Sequence, residues 1–422
     1  MRIVPLFLVC LASLTFFSSA STQSIFESYG QQHPVFFNET YHSGFLPNDN
    51  EGDLFYILFD SRNNVETDPL VLWLTGGPGC SSELAMFTEN GPFTIDQNDL
   101  SLSINPYSWN NKANLLYVDQ PAGTGFSTVV NYDSTEWEVA RDFYNFFMHF
   151  LEAYPQFKGR DFYITGESFA GHYIPVVASY FLQQKNSDIN IQGIAIGNGW
   201  VEPLYQYPAY PLYAYENGLI DQEKYEQLSA KIGGCQEAIL ASDPVSTVVQ
   251  CTGLYSGPVG PRTWNIYDIR IPCIGSLCYD LSFVDRFLAK PEVREALGVV
   301  GRSWSECNHQ VHKFFNLDHE VGYSSYVGEL LDLNVPVLVY SGVEDFICNY
   351  RGNEAWTNAL QYSGHDEFEN AEYVPFGKHG LYKSAKGLTF FKMLDAGHLV
   401  PMDQPAAALK MLHAFIDGKF DN

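Results

Sequence analysis

The sequence predicts an α/β architecture, a central and mostly parallel sheet flanked by helices. Three observations carry that expectation. Near-continuous apolar runs end in Gly-rich or polar turns, the pattern of strands buried on both faces. Helical patterns alternate with those runs. One run, Asp161-Phe-Tyr-Ile-Thr165, feeds a sharp turn, Gly166-Glu-Ser-Phe-Ala-Gly171, with Ser168 at its apex. An amphipathic stretch from His172 to Leu182 follows. The small residues at 166, 170 and 171 let the backbone turn tightly and leave the Ser168 hydroxyl exposed.

In chain order, Pro69–Leu74 leads into Thr75-Gly-Gly-Pro-Gly79, and Ala113–Val118 into Asp119-Gln-Pro-Ala-Gly123. A helix starts at Thr135, where Glu138 completes a capping box; Val139, Phe143, Phe146, Phe147, Phe150 and Leu151 recur at helical spacing. Ile191–Ile196 precedes Gly197-Asn-Gly199, Pro336–Tyr340 precedes Ser341-Gly342, and Leu388–Leu394 precedes Asp395-Ala-Gly-His398. A final helix begins near Pro405 and runs through Leu409, Leu412 and Ile416.

The rhythm breaks after Gly199. Residues 201 to about 330 are rich in Tyr and Pro and hold four cysteines before residue 300. They show only short helical patterns, one capped by Asp221. This stretch reads as a helical cap inserted into a sheet domain formed by residues 21–200 and 331–422. Met1–Ala20 has the charged start, apolar core and small-residue end of a secretory signal, too short to span a membrane.

The 422 residues carry a net charge of −26, which disfavours nucleic acid and anionic membranes as partners and suits an acidic compartment. Asn38-Glu-Thr40 is a glycosylation sequon. Seven cysteines follow the signal, an odd number that leaves one thiol over once disulfides form. Spacing favours Cys235–Cys251 and Cys273–Cys278 as local bridges. No cysteine spacing reads as a zinc site, His309-x-x-His312 reads as surface histidines, and no cofactor motif is present.

Ser168, Asp345 and His398 each follow a strand, in the order of an α/β-hydrolase triad. A hydroxyl needs a base to become nucleophilic, and the imidazole needs a carboxylate to fix its tautomer. His379 is the rival base but has no strand directly before it; His172 packs within the elbow helix. The amide of Phe169 and one from Gly76-Gly77 are the expected oxyanion donors.

These residues resemble the serine carboxypeptidase family, nearest its carboxypeptidase Y and plant type III branch. The matching motifs are Trp73-Leu-Thr-Gly-Gly-Pro-Gly-Cys-Ser-Ser82, Asp119-Gln-Pro-Ala-Gly-Thr-Gly-Phe-Ser127, Gly166-Glu-Ser-Phe-Ala-Gly171, Gly197-Asn-Gly199, Asp345-Phe-Ile-Cys-Asn349 and Gly397-His-Leu-Val-Pro-Met-Asp-Gln-Pro405. The resemblance implies release of single residues from peptide and protein C-termini at acidic pH, in a lysosomal, vacuolar or secreted setting. It implies triad roles for Ser168, Asp345 and His398, and oxyanion amides at Gly77 and Phe169. It gives Gly76 and Glu167 the substrate's terminal carboxylate, with Glu89 supporting Glu167. Two adjacent carboxyl groups do not both ionise easily, and a protonated Glu167 can donate where an ionised one would repel.

Thr75 also falls in that carboxylate-binding set, where carboxypeptidase Y has Asn. Leu84, Thr88 and Leu399 fall at the leaving-residue pocket, whose preference stays open with an apolar side chain favoured. The resemblance pairs Cys80–Cys307, Cys235–Cys251 and Cys273–Cys278 and leaves Cys348 free. An acyltransferase, an esterase, and a protective or binding role toward a partner enzyme are the alternatives. Glu at 167, where acyl-transferring relatives tend to carry Asp, and its pairing with Glu89 favour a peptidase.

Overall fold

The apolar runs form the centre of a ten-stranded sheet in a computed structural model that describes residues 31–48, 52–260, 263–274 and 278–420. Residues 1–20, read as a signal, lie outside the described residues. The strands are β1 (Tyr41–Pro47), β2 (Asp53–Phe59), β3 (Leu70–Leu74), β4 (Phe93–Ile95), β5 (Leu102–Ile104), β6 (Asn114–Val118), β7 (Asp161–Glu167), β8 (Asn190–Gly197), β9 (Val337–Gly342), β10 (Val374–Pro375), β11 (Gly380–Ala385) and β12 (Leu388–Met393). The main sheet runs β1-β2-β6-β3-β7-β8-β9-β12-β11-β10; β4 and β5 pair separately as a hairpin. From β6 to β12 every neighbouring pair is parallel, and both edges are antiparallel. This is an α/β-hydrolase sheet, mixed at its edges and parallel where the functional turns emerge.

The strands read as unbroken apolar runs because each face meets its own core. Leu70, Leu72 and Leu74 pack on one side with Phe143, Phe147 and Ile174. Val71 and Trp73 pack on the other with Trp109, Met411 and Leu412. Helix α1 (Glu83–Thr88) follows the turn after β3. Helix α2 (Glu136–Ala153) starts with the expected capping box at Thr135 and Glu138. Helix α3 (Ala170–Gln183) follows the Ser168 turn, and Pro405–Ile416 covers the opposite face.

Between β8 and β9 the chain carries a series of helices beginning with Pro203–Glu216 and ending with Ser324–Asp332. Two of them are longer than the sequence patterns: Pro203–Glu216 spans 14 residues and Pro244–Val259 spans 16. Pro208, Pro211 and Pro258 lie inside them, and prolines normally argue against a helix interior. Disulfides tie this region together: Cys235–Cys251 joins two of its helices, Cys273–Cys278 closes a short loop, and Cys80–Cys307 fastens it to the turn after β3. Asn38 is exposed in the turn before β1.

Candidate active site

Four strand ends converge on one cleft. Strand β7 ends at Glu167, and Ser168 takes a left-handed backbone with φ of 62° before α3 begins. That conformation costs a non-glycine residue about 1–2 kcal/mol. The surroundings hold it: the Ser168 amide donates to the Gly197 carbonyl at 3.0 Å, and its own carbonyl accepts from the amides of Gly171 and Trp200, each at 2.9 Å. A side chain on Gly171 would meet the Trp200 carbonyl at 2.6 Å.

The turn after β3 presses against this elbow. A Cβ on Gly76 would lie 2.4 Å from the Phe169 amide nitrogen and 2.9 Å from Ser168 Cβ. Only glycine permits that approach of Gly76 to the Ser168–Phe169 turn. Gly77 and Phe169 line, with Ser168, a second cleft of about 250 Å³ walled by Trp200, Tyr207, Tyr210 and Tyr255. The aromatic wall comes from the segment after β8 and was not singled out in the sequence.

The turns after β9 and β12 bring Asp345 and His398 together. His398 Nδ1–H donates to Asp345 Oδ2 at 2.8 Å, and both residues are buried. Asn198 Nδ2 donates to the same oxygen at 2.8 Å and the Cys348 amide at 3.2 Å; the Ile347 amide donates to Oδ1 at 3.0 Å. Asn198 is fixed in turn by the Gly342 amide, which donates to its Oδ1 at 3.0 Å. The Gly197-Asn-Gly199 turn was legible as a motif, but nothing in the sequence tied Asn198 to Asp345.

The main cleft, about 290 Å³, is lined by Ser168 and His398, by Thr75, Gly76, Glu89 and Glu167, and by Leu84, Thr88 and Leu399. Glu89 and Glu167 are buried there and hydrogen-bonded to each other. Burial raises Glu89 to about 8, against the pull of the bond to Glu167, with the Asp403 charge adding to the rise. Glu167 is pushed well above the ordinary carboxyl range by burial first, then by Glu89 and Asp345. The pair therefore holds its protons through the acidic range. Thr75 Oγ1 accepts from the Trp73 indole at 3.0 Å, which leaves its own proton free to donate.

The other sequence candidates sort by distance from this cleft. His172 is buried, donates to the Trp200 carbonyl at 2.6 Å, and is pushed down to about 3 by burial, so it stays neutral. His379 sits in the turn before β11, 3.3 Å from Gln404 Oε1. His309 and His312 lie on the short helix His309–Phe314 at the cleft wall. Cys348 is buried, and burial pushes its thiol well up, followed by the charges of Asp345 and Glu167.

A family model described as serine carboxypeptidase matches residues 30–418. A serine carboxypeptidase-like protein of Oryza sativa subsp. japonica is 44% identical over 405 residues, covering 90% of this chain and 94% of that protein. Serine carboxypeptidase 3 of Hordeum vulgare is 41% identical over 399 residues, covering 90% of this chain and 78% of that protein. Among solved structures, Kex1(delta)p, a prohormone-processing carboxypeptidase from Saccharomyces cerevisiae, aligns with a TM-score of 0.80 at 26% identity, covering 92% of each chain.

Proposed function

The chain belongs to the serine carboxypeptidase family and is a serine-type carboxypeptidase, and on that premise we propose that it releases single residues from peptide C-termini in acid. The observation that carries the reading is the buried Glu89–Glu167 pair in the cleft that holds Ser168. A protonated Glu167, the Thr75 hydroxyl and the Gly76 amide hold the substrate's terminal carboxylate. That contact sets the last peptide bond over Ser168.

Ser168 Oγ attacks the scissile carbonyl as His398 takes its proton. The Gly77 and Phe169 amides stabilise the oxyanion. Asp345 keeps His398 Nδ1 protonated, so Nε2 is the basic nitrogen. His398 then protonates the leaving amine, and the released amino acid departs. Water, activated by the same imidazole, hydrolyses the acyl-enzyme. Leu84, Thr88 and Leu399 line the leaving-residue side, and residues 201 to about 330 form a cap over the cleft. Three disulfides support a secretory, lysosomal or vacuolar setting. No helix among the described residues is long and apolar enough to cross a membrane.

The test is incubation with an N-blocked dipeptide and its C-terminal amide at about pH 5, below the raised carboxyl range. Release from the free acid, slower release from the amide and none from Ser168→Ala are expected. Acyl transfer or ester cleavage without release from the free acid would overturn the peptidase reading.

A further inference from the structure

The leaving-residue side of the cleft ends in polar atoms that no described residue satisfies. Its body is apolar, with Leu84, Leu281 and Leu399 on the walls. Glu306 and Tyr279 line the same cavity. Glu306 Oε1 and the Tyr279 hydroxyl are both buried and have no hydrogen-bond partner among the described residues. Burial, followed by the charges of Asp285 and Asp280, raises the Glu306 carboxyl above the ordinary range, a rise that a cation placed beside it would oppose. The Glu306 backbone is fixed, because its carbonyl accepts from the Ser81 amide at 2.9 Å and the next residue is the disulfide-bonded Cys307.

A buried carboxyl oxygen without a donor costs free energy, and more when the carboxyl is charged. A leaving residue with a purely aliphatic side chain would seal both orphan atoms away from water. One with a carboxylate would add a fourth acidic group beside Glu306, Asp280 and Asp285. A long aliphatic stem with a cationic tip satisfies the whole surface. Its methylenes lie along the leucines, and its N–H groups reach Glu306 and Tyr279.

On the carboxypeptidase reading above, we propose that Glu306 is a specificity-determining residue that selects lysine or arginine as the leaving residue. Apolar walls alone favour an apolar leaving residue; Glu306 adds the requirement at the tip. Glu306 lies far along the chain from Leu84 and Thr88, and the Cys80–Cys307 bridge ties its segment to the turn that precedes them.

The experiment compares N-blocked dipeptides ending in Lys, Leu and Glu, as kcat/KM for the wild-type enzyme and as equilibrium binding to Ser168→Ala. Lys-ended peptides should lead and Glu-ended peptides trail. Glu306→Gln should lower the Lys-to-Leu ratio about tenfold, the worth of one charge-assisted hydrogen bond. Glu306→Lys should move the preference toward Glu-ended peptides, a gain that misfolding does not produce. A Lys-to-Leu ratio equal in all three enzymes would overturn the assignment. If nothing is released from any peptide while Ser168→Ala still prefers Lys-ended ones, the hydrolase reading falls and the pocket stands. Binding to Ser168→Ala without that preference overturns the pocket.

Discussion

Asp345, bonded to His398, and the Glu89–Glu167 pair at the cleft are both buried carboxyl sites, yet their surroundings are opposite. Asp345 accepts from His398, from Asn198 and from two backbone amides. Glu89 Oε2 has no partner among the described residues, and the strongest neighbour of each glutamate in the pair is the other. In the mechanism proposed above, the donors hold the first carboxyl in place against His398. Burial with few donors raises the second, which on the same proposal lets it donate. The chemistry of a buried carboxyl is set by what points at it.

The strongest way to break this contrast is to remove the acceptor from the donor-rich site. Asp345→Asn should lower kcat about 10⁴-fold, because the amide favours the wrong tautomer of His398. Burst titration of the acyl-enzyme would locate the loss in Ser168 activation. A smaller change on the same side is Asn198→Ala, which strips one donor from Asp345. It should lower the unfolding free energy by about 1–3 kcal/mol, read by denaturant titration, together with a fall in kcat. Equal stability and activity would remove Asn198 from the network.

The donor-poor site gives a stability prediction with a defined sign. A carboxyl whose folded value is raised contributes stability fully below its unfolded value and loses it as pH rises through the folded one. Glu89 stands at about 8. Glu83 and Asp119, and Glu136 with Asp318, are further buried acidic groups raised chiefly by burial. The melting temperature should therefore fall as pH rises from the ordinary carboxyl range through about 8. A flat or rising melting temperature over that window would contradict the protonated reading.

The smallest effect is expected at Thr75. Thr75→Val removes the hydroxyl bonded to the Trp73 indole and should raise KM for free-acid peptides about five- to tenfold. Their amides should be affected less.

The same contrast explains what the sequence disclosed. Ser168, Asp345 and His398 stand directly after buried parallel strands, and a run such as Leu70–Leu74 is visible because both its faces are covered. Strand β1 is hidden because it is an antiparallel edge strand that mixes buried and half-buried residues without an apolar run; β2 carries the apolar run Leu54–Phe59, buried and paired on both sides, and lacks the Gly-rich turn that marks the parallel strands. The helices Pro203–Glu216 and Pro244–Val259 were hidden by internal prolines. The hold of Asn198 on Asp345 spans 147 residues, and no local pattern encodes it. The aromatic wall of Trp200, Tyr207 and Tyr210 was lost in a chain with 27 tyrosines.

The most direct measurement is the pH dependence of kcat/KM for a blocked dipeptide and its C-terminal amide, on the wild-type enzyme and on Glu167→Gln. Free-acid hydrolysis should weaken as pH rises through the raised range of the Glu89–Glu167 pair, while amide hydrolysis does not follow it. In Glu167→Gln, whose side chain donates at every pH, that limb should flatten. Identical profiles for acid and amide, or an unchanged limb in Glu167→Gln, would contradict the assignment of the carboxyl pair to the substrate's terminus.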